Sequence, residues 1–151
     1  MRLYLKRILT YLSLFAVLTI SLQAYAESSK QFGDYTIHYT AFRSDTLQPE
    51  IAKAYNLTRR NNRVIVNIAV IKNVAGTTGT PTSAKVEGQA SNLTGQLKQL
   101  DFHEIKEGDA IYYLAETQIS NGEFLKFEVK VTPAGKTDTA TIRFDKRFFT
   151  N

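Results

Sequence analysis

The chain has 151 residues, no cysteine, no tryptophan and one methionine, at its start, with 19 basic against 14 acidic residues. Without thiols there are no disulfide staples, so an apolar core must hold the fold, and a chain of this length can bury roughly two-thirds of its unfolded surface in one domain. Three basic residues lie in the first seven positions, so beyond residue 26 the balance is 16 against 14, or +2, and a charge spread that thinly excludes the clustered basic face that nucleic acid requires.

The N-terminus reads as an export signal. Arg2, Lys6 and Arg7 form a positive region and Ile8 to Leu22 an uncharged, mostly apolar one. Ala24-Tyr25-Ala26 follows as the small-residue box that signal peptidase accepts. The apolar run is shorter than the about 20 residues of a spanning helix and closes on polar Ser21 and Gln23. Cleavage is therefore expected between Ala26 and Glu27, leaving 1–26 as signal peptide and 27–151 as one domain. No Arg-Arg pair precedes the apolar run, which favours the general secretory route, and no cysteine is available for a lipoprotein anchor. The processed chain is expected in the periplasm, with secretion the lesser alternative, and without stable membrane insertion.

From residue 35 onward the hydrophobic period is two, the mark of strands. Tyr35, Ile37, Tyr39 and Ala41 alternate with Thr36, His38 and Thr40. The segment Leu47–Asn56 breaks that period. Pro49 suits a first helical position, Glu50 the first turn, and Asn56 the left-handed residue after the last turn. A two-turn helix is expected there, with Ile51 and Tyr55 on one face. Val64, Val66, Ile68 and Val70 then alternate with Ile65, Asn67, Ala69 and Ile71, so this strand is apolar on both faces and central. Asn73 to Thr82, with Gly76, Gly79 and Pro81 among threonines, reads as a mobile hairpin end. Val86, Gly88 and Ala90 form a strand with a wet back. Leu100 and Phe102, then Ile111, Tyr113 and Ala115, continue the pattern, as do Leu125, Phe127, Val129 and Val131 and finally Ala140, Ile142 and Phe144. Glu107-Gly108-Asp109, Asn121-Gly122 and Pro133 to Lys136 are turns. About seven short strands with turn residues between them predict an all-β, antiparallel, immunoglobulin-like sandwich with one helix between its first two strands.

Recognisable chemistry is sparse. His38 and His103 sit in strand patterns on the polar side, and no nucleophile elbow accompanies them. Beyond the initiator there is no methionine or cysteine for a soft metal, and Glu104, Glu107 and Asp109 lack the ligand ladder of a calcium loop. No cofactor, metal or catalytic residue is assigned. Tyr112 and Tyr113 are adjacent, as are Phe148 and Phe149, so each pair points to opposite faces of its strand. Ile65, Ile71, Tyr112 and Leu114 all lie opposite the core rows, and are expected to form one outer patch. Ile51 and Tyr55 of the helix are the candidates to cover it; if they do not, the patch is a partner-binding face.

Gln31-Phe32-Gly33-Asp34-Tyr35, Leu47-Gln48-Pro49-Glu50 and Glu107-Gly108-Asp109-Ala110-Ile111-Tyr112-Tyr113 occur in that order. Together they resemble an uncharacterised family of small exported proteins of Gram-negative bacteria, a domain of unknown function. The likeness extends to Arg143-Phe144 and Phe148-Phe149, and it implies membership without implying a reaction or a ligand. The expected function is a non-enzymatic binding or accessory module recognising a protein or envelope component. A hydrolase using unidentified carboxylates on an envelope substrate, and a structural subunit pairing by strand addition, are the alternatives.

Overall fold

A computed structural model describes residues 28–151; the expected signal peptide and its Ala26–Glu27 cleavage site lie outside the described residues. In chain order the elements are β1 (Ser28–Phe32), β2 (Tyr35–Arg43), one 3-10 turn (Ser44–Thr46), α1 (Pro49–Ala54), β3 (Arg63–Lys72), β4 (Thr80–Pro81), β5 (Ala84–Asn92), β6 (Leu97–Leu100), β7 (His103–Glu107), β8 (Ala110–Gln118), β9 (Glu123–Pro133) and β10 (Ala140–Phe148). The strands form two antiparallel sheets. One runs β1-β2-β3-β8-β7 with β4 attached to β3, the other β10-β9-β5-β6.

The inward rows of both sheets meet in a single core. Ile37, Val64, Val66, Ile68 and Val70 come from the first sheet, and Leu125, Phe127, Val129, Val131 and Ile142 from the second. Period two dictates this: alternate residues of a strand share a face, and each sheet buries its apolar one. Toward β10 the core turns aromatic. Phe127 stacks on Phe144 at 4.7 Å between ring centroids and meets Phe148 edge-on at 6.3 Å.

Ten strands stand where about seven are expected, and the three additional ones share a cause. In β1 the only apolar residue is Phe32, in β7 it is Ile105, and β4 is two residues long. Each is recruited by a neighbour's free edge rather than by its own pattern. Because β1 precedes the Tyr35 strand, the helix lies between the second and third strands, not between the first two. The stretch 73–82 also differs from a free hairpin end, since it folds back so that Pro81 pairs with Ile71 and Thr80 with Lys72. Gly79 makes that return possible. Its φ is +84°, and a Cβ there would collide with the Ile71 side chain and sit 2.8 Å from the Lys72 carbonyl oxygen, so only glycine fits.

Helix α1 spans six residues rather than two full turns. Pro49 occupies its first turn, where a missing N–H costs nothing. It stops at a Schellman arrangement: the Leu57 N–H bonds the Ala52 carbonyl at 2.8 Å and the Asn56 N–H the Lys53 carbonyl at 3.3 Å. Asn56 takes the left-handed conformation this closure needs, with φ +54°.

Candidate functional site

The outer face of the first sheet carries more apolar surface than a solvated face needs. Residues directly opposite in paired strands share a face, and the register sets Ile65 against Phe42 of β2 and Asn67 against Leu114 of β8. It also sets Tyr112 against Ile105 of β7. The segment from Ser44 to Asn62 crosses this face with α1 at its centre. The fully buried Ser44 pins its two ends together: its hydroxyl bonds the Thr58 carbonyl at 2.6 Å and accepts the Arg60 N–H at 2.9 Å. Glu116 holds the segment from the sheet side by accepting the Thr58 N–H at 2.8 Å.

Between α1 and the sheet remains a groove of about 160 Å³, into which Ile51, Tyr55, Ile65, Tyr112 and Leu114 all face. Ile71 does not join them. It lies toward the other end of β3, against Pro81 and Gly79. Ile65 is 0% exposed although it faces away from the core, whereas Ile51 on the opposite wall is 38% exposed. The helix thus covers the sheet end of the groove and leaves its own apolar edge in solvent. Phe42, Leu47, Leu57, Asn67 and Ile105 complete the lining and were not among the expected residues. Phe42 and Ile105 are legible afterwards as continuations of outward rows, while Leu47 and Leu57 flank a helix too short to have a clear face.

Two polar groups border the groove. The Tyr55 hydroxyl donates to Glu107 Oε2 at 2.6 Å, and that bond, ahead of desolvation and the carboxylate's charge, raises the phenol above its ordinary value. Asn67 Oδ1 is buried and meets no hydrogen-bond donor among the described residues, an unmet acceptor of the kind that folded proteins keep rare. On the inner side, Tyr113 links the two sheets. Its hydroxyl accepts the Ala84 N–H and donates to Glu104 Oε2, both at 2.7 Å. Burial first, and then the Glu104 bond, raise the Tyr113 phenol; the same bond, aided by Lys106, lowers Glu104.

The other chemistry weighed from the sequence is dispersed. His38 on β2 and His103 on β7 share the outer face but are separated by β3 and β8, three strand spacings or about 14 Å, so no site can use both. Glu104 and Glu107 point to opposite sides of β7, toward Tyr113 and Tyr55. Among the described residues no three His, Cys, Asp or Glu side chains gather as a metal set. The sheet edges are β1, β7, β10 and β6; β7 and β10 are charged, β6 is four residues long and β1 is polar, devices that discourage strand addition. No described helix is long and apolar enough to cross a membrane.

A two-sheet antiparallel domain with this groove defines an all-β class, and comparison narrows it. Residues 29–151 match the family described as domain of unknown function DUF4426, and the chain belongs to that family. It resembles a DUF4426 family protein from Pseudomonas aeruginosa PAO1, with 36% identity, a TM-score of 0.71, and coverage of 83% of this chain and 96% of that one. It also resembles, in fold alone, FetP of uropathogenic Escherichia coli strain F11, at 10% identity and a TM-score of 0.57 over 82% of this chain and 93% of that one. A copper-bound variant of FetP superposes similarly, at 9% identity and a TM-score of 0.56, covering 82% and 90%. No curated protein matches the chain.

Proposed function

We propose that this protein is exported, processed after Ala26 and resident in the periplasm, where it acts as a non-enzymatic binding or accessory module of immunoglobulin-like build. Its recognition surface is the groove between α1 and the outer face of the first sheet, which receives an apolar side chain from a partner protein or envelope component. The observation that carries this reading is the half-exposed Ile51 held over a fully buried Ile65, an apolar slot with one side open. Among the described residues that line the slot, Glu107 is the one carboxylate and is already engaged by Tyr55, so no second carboxylate stands there to form an acid–base pair with it. Export is supported by the charge and hydropathy pattern of residues 2–26, and an intact mass beginning at Glu27 is expected for protein recovered from the envelope.

The test is photo-crosslinking in cells. A benzophenone amino acid at position 51 is expected to capture a discrete partner, and the same probe at position 85, on the second sheet, is expected to capture none. Equal labelling from both positions, or none from position 51, would overturn the assignment of the groove.

A further inference from the structure

One end of the molecule is unlike the other. There β2, β8 and β10 finish and β3 and β9 begin, since Arg43 pairs with Val64, Gln118 with Arg63 and Phe148 with Glu123. The β5–β6 hairpin tip lies at the same end, tied there by Lys98, which bonds the Gln118 carbonyl at 2.6 Å and pairs with Glu123 at 3.1 Å. Seven cations gather on it. Three are matched by acids: Arg43 by Asp45, Arg63 by Glu116 and Lys98 by Glu123. The other four, Arg59, Arg60, Lys146 and Arg147, meet no carboxylate within ion-pairing distance among the described residues.

Three of those four are held by backbone carbonyls. Arg59 donates to Leu47 at 2.8 Å and Asp45 at 3.0 Å, Lys146 to Ala41 at 2.8 Å, and Arg147 to Gly122 at 2.7 Å. A carbonyl orients a cation without cancelling its charge, so this end presents a fixed positive field. The opposite end carries Asp34, Asp109 and Asp138 together with Lys72 and Lys136. At the same end stand the most exposed apolar side chains of the described residues, Leu93 at 67% and Leu97 at 66% at the β5–β6 tip and Phe149 at 56% after β10. Phe149 and Phe148 also line a cleft of about 620 Å³ with Arg43, Lys146 and Arg147 on its rim.

We propose that this end is a peripheral docking face for an anionic lipid bilayer. Cations alone would suit any polyanion. Free cations at the same end as protruding leucine and phenylalanine suit an interface whose phosphates overlie an apolar layer, where each half of the pattern finds its complement. The cleft beside Phe149 is sized for a headgroup and the start of its chains, and no part of the face needs to span the bilayer.

The experiment is co-sedimentation of the processed chain with vesicles of phosphatidylcholine, alone and mixed with phosphatidylglycerol. Binding only to the mixed vesicles is expected, weakened by salt and falling roughly fivefold for each of Arg59, Arg60, Lys146 and Arg147 replaced by glutamine. The double variant Leu93→Ser, Leu97→Ser touches only exposed side chains, so it tests the apolar half without threatening the fold; a loss of at least about tenfold is expected. Equal binding to both vesicle types, or none, overturns the proposal. So does an undiminished leucine variant together with equally tight binding to heparin, which would mark a site for soluble polyanions. Leu93, Leu97, Lys146 and Arg147 do not line the groove at Ile51, so their variants separate this face from it.

Discussion

Tyr55 and Glu107, 52 positions apart, are joined at 2.6 Å through the tyrosine hydroxyl, and this single bond ties the helical segment to the outermost strand of the first sheet. Within α1 itself Ala52, in the middle of the helix, is buried, while Ile51 beside it stays 38% exposed. Tyr55→Phe is expected to lower the melting midpoint slightly, and Tyr55→Phe with Glu107→Gln to cost no more than the larger single change, because both remove one interaction. Tyr112→Ala removes a half-buried ring from the groove floor and is expected to cost about 2 kcal/mol, below the 3–5 kcal/mol of a fully buried aromatic. Chemical denaturation of the four variants measures this. If Tyr112→Ala matches the parent in stability yet loses its crosslinked partner, the ring serves binding alone.

Asn67 should reveal a conflict between stability and recognition. A buried acceptor without a donor carries a desolvation cost, and an apolar residue of similar shape relieves it. Asn67→Leu is therefore expected to raise stability by about 1 kcal/mol and to weaken partner capture at position 51. A variant less stable than the parent would show that the amide is needed for the fold.

Stability should be level through neutral pH and decline at both extremes. Glu104 lies below the ordinary 4.5 because Tyr113 and Lys106 bond its ionised form. At Glu123 burial pulls the value up, but the Ser120 N–H, Asn92 and Lys98 outweigh it and hold it low. A carboxylate with a depressed folded value adds stability above its unfolded pKa and loses it as pH falls through the folded one, so the loss begins below about 4.5. Tyr113 and Tyr55 are raised above the ordinary 10.0, so their contribution holds below that value and is lost as pH climbs through the folded one. Melting midpoints across pH locate both limbs, and Glu123→Gln should flatten the acid one.

Chelator and reductant are each expected to leave the melting midpoint unchanged, and added copper to leave it unchanged as well. The chain has no thiols, and its two histidines stand on strands separated by two others. A stabilisation by copper that His38→Ala or His103→Ala removed would show a site built on that histidine.

Much of the architecture is local and was legible as such. The inward rows of β2, β3, β9 and β10 follow from period two, the opposed directions of Tyr112 and Tyr113 from adjacency, and the helix stop at Asn56 from the tolerance of asparagine for a left-handed backbone. The resemblance to the family, likewise, was read from contiguous stretches of chain. Long-range pairing decided the rest. Ile71 bears the same outward pattern as Ile65, but only the return of 73–82 at Gly79 draws it away from the groove, and only the β7–β8 register brings Glu107 to Tyr55. A balance of +2 reads along the chain as charge thinly spread, yet folding sets Arg59 and Arg60 of one loop beside Lys146 and Arg147 of the last strand. Period and propensity are properties of neighbours in sequence, while a shared groove or a charged end belongs to residues that only strand order makes neighbours in space.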